Sequence, residues 1–213
     1  MSRQQLYQTL VDALSYDEEN TIRQHGWHYK GKSLAEGLEN ALYQCPKCKK
    51  EFCTMPQDDL LICQNCKNTV RIDDQLGLHA VGKEDIAFPT VSQWLQWEKE
   101  MLREKAEKQD FCLEEKVVLK DPRKESSGFD IKGKGIAKFT WEGMRYQGEI
   151  GQGEKGERYF PKEHLGMIPY TCGKDLEIPF DKRICVLEPE NEQAVMQWIL
   201  FSELIREKMM KEA

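Results

Sequence analysis

Long apolar runs are missing from this chain. No stretch of its 213 residues approaches the ~20 apolar positions of a membrane-spanning helix, so no transmembrane segment is expected. The opening residues, MSRQQLYQTLVDAL, lack the apolar core and small-residue cleavage site of a secretory signal, which predicts a cytoplasmic protein. A basic excess is missing as well. With a net charge of −6 and a pI of about 5.4, the chain has no global footprint for nucleic acid, and no such partner is expected. Histidine is scarce, limited to His25, His28, His79 and His164. There is no Gly-x-Ser-x-Gly, no phosphate-cradling Gly-x-x-x-x-Gly-Lys and no His-Glu-x-x-His. The glycines of IKGKGIAK and GEIGQGEKGER precede no helix and suit strand turns. No catalytic constellation emerges, and the chain by itself is not expected to be an enzyme.

Cysteine, by contrast, is plentiful and ordered. LYQCPKCKKEFCTMPQDDLLICQNCK carries two Cys-x-x-Cys pairs, Cys45/Cys48 and Cys63/Cys66. In a reducing compartment paired cysteines read as metal ligands before disulfides. Zinc takes four thiolates in a tetrahedron, and two such turns at the ends of a β-hairpin would close one site. The hairpin would rise through Phe52 and Met55, turn at Pro56 to Asp59 and return through Leu60 to Ile62. One structural zinc held by Cys45, Cys48, Cys63 and Cys66 is therefore expected. A single dithiol switch would not need two symmetric pairs. Cys53 does not fit the ligand spacing and reads as a small buried hydrophobe. Cys112, Cys172 and Cys185 sit in apolar contexts and read as core thiols. Many ribbons place Gly after each pair, where this chain has Lys49 and Lys67.

The rest of the chain alternates in texture. Leu6, Tyr7, Leu10, Val11 and Leu14 predict one inward helical face. HGWHYKGK reads as a partly packed aromatic loop. Ser33 to Glu36 is a capping box expected to open a helix through about Tyr43. Thr90 and Gln93 start another, with Trp94, Leu95, Trp97, Met101 and Leu102 inward and a solvated charge run opposite. Short strands follow near 115–120, 135–141, 144–150, 156–160, 166–171, 175–179 and 183–187, with a long loop over DPRKESSGFDIKGKG and a hairpin at Trp141–Met144. Asn191 then caps a helix with Val195, Trp198, Ile199, Leu204 and Ile205 inward. The expected fold class is α+β: a helical collar over 1–44, a zinc ribbon over 45–88, a connecting helix over 89–110, and an antiparallel β-sandwich closed by a helix over 111–213.

Together, KSLAEGLENALYQCPKCKKEF, LLICQNCKNTVRID and TVSQWLQWEKEML resemble a region of bacterial lysophospholipid acyltransferases of the 1-acylglycerol-3-phosphate acyltransferase type, notably clostridial relatives. In those proteins the region follows the catalytic domain, and the resemblance covers about residues 5–105. It implies a non-catalytic accessory region acting in cis with an acyltransferase domain in phospholipid biosynthesis. The family's His-x4-Asp motif does not appear, since the positions five after each histidine are Lys30, Ser33, Glu84 and Pro169. The chain is accordingly expected to be a piece of a longer acyltransferase. Residues 111–213 resemble a pleckstrin-homology-like or GRAM-like domain, with GKGIAKFTWEGMRYQGEI as its second and third strands and Trp198 in its closing helix. That resemblance implies a lipid headgroup or peptide ligand and a place at the membrane periphery. Lys120, Arg123, Lys124, Lys132 and Lys134 would then meet an anionic surface, diluted by Asp121, Glu125 and Asp130. A second reading is a nucleic-acid or protein-interaction ribbon using Lys47, Lys49, Lys50, Lys67 and Arg71.

Overall fold

A computed structural model of the chain describes residues 2–14, 18–123, 127–181 and 183–212. The fold is α+β, with helices at both ends and two antiparallel sheets between them. Two helices lead, α1 (Arg3–Leu14) and α2 (Glu18–His25). The first forms where its periodicity predicts, but its expected inward face is not inward. Leu6, Tyr7, Leu10 and Leu14 are exposed and α1 buries no residue. The second is anchored instead: Ile22 is buried, and Glu19 accepts the Val91 N–H at 2.8 Å, an otherwise unpaired donor of a helix start.

The capping box at Ser33 does not open a long helix. Residues 34–37 form turns, and α3 is limited to Leu38–Ala41, preceded by Gly37 at φ +90°. The reason lies at long range. The Leu34 N–H donates to Asp59 Oδ1 at 3.0 Å and the Ala35 N–H to the Asp58 carbonyl at 3.1 Å. Donors that a helix start would need are thus tied to a distant turn. That turn joins β1 (Thr54–Gln57) to β2 (Leu60–Cys63), and β3 (Thr69–Ile72) and β4 (Leu78–Ala80) complete a small sheet in simple sequential order. Alternation buries Leu61, Cys63, Val70 and Ile72 on one face.

Helix α4 (Val91–Ala106) covers that face. Its Thr90 cap accepts the Gln93 N–H at 3.2 Å, and Trp94 is buried with its indole N–H on the Gln44 carbonyl at 3.0 Å. Its polar face is less solvated than the charge run predicts. Glu98 is 0% exposed, and Lys99 is drawn between Glu203 and Glu207 at 2.7 Å each. These contacts carry α4 onto the C-terminal helix.

The large sheet contains β5 (Leu113–Pro122), β6 (Phe129–Thr140), β7 (Gly143–Gly151), β8 (Glu154–Pro161), β9 (Tyr170–Thr171), β10 (Asp175–Phe180) and β11 (Arg183–Pro189). Its spatial order is β8-β7-β6-β5-β11-β10-β9, antiparallel throughout. The long loop expected between the first two strands is mostly strand: Pro122 pairs with Phe129, and the Arg123 N–H closes the hairpin on the Gly128 carbonyl at 3.0 Å. Gly135 and Gly148 face each other across β6 and β7. A Cβ on Gly135 would lie 2.4 Å from the Gln147 carbonyl oxygen, so only glycine permits this approach. Helix α5 (Ala194–Glu212) lays Val195, Trp198, Ile199, Phe201, Leu204 and Ile205 on the sheet, with Phe201 edge-on to Phe139 at 4.8 Å. Of the three thiols expected in the core only Cys185 is buried; Cys112 and Cys172 are exposed, one just before β5 and the other in the β9–β10 turn. Tyr43 packs into the large core beside Phe52 at 5.7 Å, and Ala41 and Leu95 touch both cores, so the two halves share a seam.

Candidate metal centre

The two Cys-x-x-Cys segments fold into matching turns. In the first, the Lys49 N–H donates to the Cys45 carbonyl at 2.9 Å and the Cys45 N–H to the Lys50 carbonyl at 3.0 Å. In the second, Lys67 donates to the Cys63 carbonyl at 2.9 Å and Cys63 to the Asn68 carbonyl at 2.9 Å. Lys49 and Lys67 take φ of 59° and 60°, the left-handed conformation that glycine adopts at less cost. The lysines thus occupy the geometry that many ribbons give to glycine.

Facing each other, the turns bring four sulfurs together. Cys45 Sγ lies 3.6 Å from Cys66 Sγ, Cys48 Sγ lies 3.7 Å from Cys63 Sγ, and all four fall within 4.8 Å of one another. A tetrahedron of thiolates at the usual zinc–sulfur bond length has edges of about 3.8 Å. The donor set therefore fits a soft tetrahedral cation. Cys45 and Cys63 are buried and Cys48 and Cys66 partly so. Burial pushes the Cys45 thiol up. It acts the same way on Cys48, but the Lys50 N–H, Asn65 and the neighbouring thiols outweigh it and bring that thiol down to about 6. Thiolates this close repel, and a shared cation is what lets the set ionise together.

A fifth thiol stands beside the four. Cys53 is half-buried, with its Sγ 3.5 Å from Cys63 Sγ and 3.2 Å from the Lys50 carbonyl. Reading it as a buried hydrophobe missed this. The signal was its place in the ladder: the Cys53 carbonyl accepts the Gln64 N–H at 2.7 Å, which sets it next to Cys63.

The five basic residues expected at an anionic surface are mostly matched by acids. Lys120 pairs with Glu188, Arg123 with Asp130 at 3.0 Å, and Lys134 approaches Glu190 at 4.0 Å. Lys132 lies in the field of Asp121, and Lys124 lies outside the described residues. Glu188 and Glu190 come from the far end of the domain, on β11 and just after it.

The histidines form no nucleophile or base constellation with the cysteines among the described contacts. His79 Nε2 meets Asp73, not Glu84, at 2.6 Å on an exposed turn. Partial burial pushes the Asp73 carboxyl up, but hydrogen bonds from His79 and the Gly77 and Gln75 amides hold it below its ordinary value. The aromatic loop is pinned to the neighbouring residue, with His28 on Asp74 at 2.9 Å and His25 stacked on an exposed Trp27 at 4.7 Å. Among the described residues no helix is long and apolar enough to cross a membrane.

No protein-family model matches the sequence, and no curated protein matches it. Several solved structures are distantly similar. The Ran-binding domain of the nuclear complex component Nup2 from Ashbya gossypii is 12% identical at a TM-score of 0.33, covering 45% of this chain and 94% of that one. SsgB, from a study of sporulation in Streptomyces coelicolor, is 13% identical at a TM-score of 0.27, covering 44% and 87%. Neither likeness bears on what this chain binds.

Proposed function

We propose that the chain is a non-catalytic accessory module in which a zinc ribbon, built on Cys45, Cys48, Cys63 and Cys66, is coupled to a pleckstrin-homology-like sandwich. The observation that carries it is the set of four sulfurs within 4.8 Å on two matching turns. Four protein thiolates complete a tetrahedron and leave no position for water or substrate, which makes the ion structural. The sandwich reading is supported by strand order: numbered from β5, the large sheet runs 4-3-2-1-7-6-5 and is closed by a C-terminal helix. The acyltransferase resemblance gives the module its setting, in cis with a membrane-associated catalytic domain in the cytoplasm. Because Lys120, Arg123 and Lys134 have acidic partners, the module serves to position that domain or a protein partner rather than to grip anionic lipid.

Elemental analysis of protein purified without added metal should find about one zinc per chain. Zinc near zero with all four thiols free to alkylation would end the proposal. The purified chain should not transfer an acyl group from an acyl-thioester to lysophosphatidic acid; turnover that survives Cys45→Ser would move the role to catalysis. The lipid alternative has its own check. Co-sedimentation with anionic vesicles at low salt should be no greater than with neutral ones, because paired charges contribute little net attraction. Anion-dependent binding abolished by Arg123→Glu would restore the anionic-surface reading.

A further inference from the structure

We propose that Cys53 is an exchangeable metal ligand that can take the place of Cys63 in the thiolate site. This rests on the zinc reading above and extends it from four thiols to five. The Cys53–Cys63 sulfur separation, 3.5 Å, is as short as the separations within the four-cysteine set, 3.6 and 3.7 Å. Cys53 therefore stands one tetrahedral edge from Cys63 but outside the four sulfurs that lie mutually within 4.8 Å, so it joins the other three only when its side chain swings inward as Cys63 leaves.

Its placement is built rather than incidental. Phe52 adopts φ +55°, a strained conformation for a bulky residue, and the next residue, Cys53, lies against Cys63. On either side the backbone is fastened, the Phe52 N–H to the Tyr43 carbonyl at 2.7 Å and the Cys53 carbonyl to the Gln64 N–H at 2.7 Å. Cys63 is 1% exposed, whereas Cys53 is only half-buried. The spare thiol thus sits on the more accessible side of a buried ligand. As the metal–Cys53 bond forms and the metal–Cys63 bond breaks, the Cys53 thiol proton passes to the departing Cys63 sulfur 3.5 Å away, so the charge and softness of the site stay constant and a soft cation loses little. Such an exchange opens a route by which metal enters or leaves through Cys53 without three-coordinate thiolate ligation.

The test uses the full chain, with zinc content and cobalt as probes. Cys63→Ser and Cys53→Ser should each keep a zinc content close to that of the unaltered chain. The double variant Cys53→Ser/Cys63→Ser should lose most of it, as should Cys45→Ser, whose sulfur neighbour at 3.6 Å, Cys66, is already a ligand. With Co2+ in place of zinc, Cys63→Ser should retain the charge-transfer intensity of four thiolates. If Cys63→Ser loses metal as fully as the double variant, or binds cobalt with a three-thiolate spectrum, Cys53 is not a ligand. That cobalt spectrum decides the matter even if the double variant fails to fold. An unaltered chain without zinc overturns the underlying zinc reading too; zinc in the unaltered chain with failure of Cys63→Ser alone overturns only the exchange.

Discussion

Stripping the proposed zinc with a chelator should melt the small sheet while the large sheet stays folded. The small core has little to stand on, since among the described residues only Ala35, Leu42, Leu61, Val70, Ile72, Leu78 and Trp94 are buried in it. Against them stands the backbone entropy lost in ordering the whole segment. A structural zinc contributes on the order of 10–16 kcal/mol to such a unit, more than any single side chain here. The large core is far richer and closed by α5, with Tyr43, Leu102 and Ala106 joining the residues from Leu113 to Ile205. Still, the seam makes it a partial dependant: Tyr43 and Phe52 lie against the large core, and the Gln44 backbone binds both Glu98 and Trp94. The sandwich should therefore melt at a lower temperature after chelation, but as a separate transition. Hydrogen exchange read by mass spectrometry would show it, with amides of residues 42–88 losing protection and those of β5–β11 keeping theirs. Unchanged exchange over 42–88 would mean that no metal holds the sheet. Loss of protection everywhere would mean that the two cores are one unit.

What could be read in the sequence was whatever depends on near neighbours. Cys-x-x-Cys spacing set both turns, Thr90 and Gln93 announced the start of α4, and alternation located the strands from β5 to β11. What could not be read depends on partners far along the chain. Ser33 and Glu36 look like a helix start until Asp58 and Asp59, more than twenty residues later, claim the local amides. Lys120 and Lys134 look like free cations until β11 brings Glu188 and Glu190 beside them. Cys53 looks like filler because ligand spacing is counted along the chain and sheet register is not. The apolar stripe of α1 shows the opposite limit, for periodicity predicts a face but not what covers it.

Replacing Glu98 by Gln should stabilise the protein at pH 8 and make little difference near pH 5. Glu98 is wholly buried where α4 meets the Cys45 turn; one carboxyl oxygen accepts the Gln44 N–H at 2.7 Å, and the other has no hydrogen-bond partner among the described residues. Burial raises its pKa well above the carboxylate range and the nearby Glu51 adds to this, while the Gln44 N–H and Trp94 pull only partly the other way. The folded state therefore holds a proton that the unfolded chain releases at about pH 4.3. Between those two pKa values unfolding sheds a proton, so stability falls as pH rises, by up to about 1.4 kcal/mol per pH unit. Below the unfolded value both states are neutral and the penalty vanishes. Glutamine copies the neutral acid and keeps the acceptor for Gln44 without the titration. Alanine should do the reverse, leaving a buried N–H unpaired at a cost of about 1–3 kcal/mol at every pH. Thermal melts of the three proteins from pH 5 to pH 8 measure this, with metal loss at low pH shared by all. A Glu98→Gln advantage that does not grow with pH, or a loss of stability at pH 8, would mean that Glu98 is ionised inside the fold.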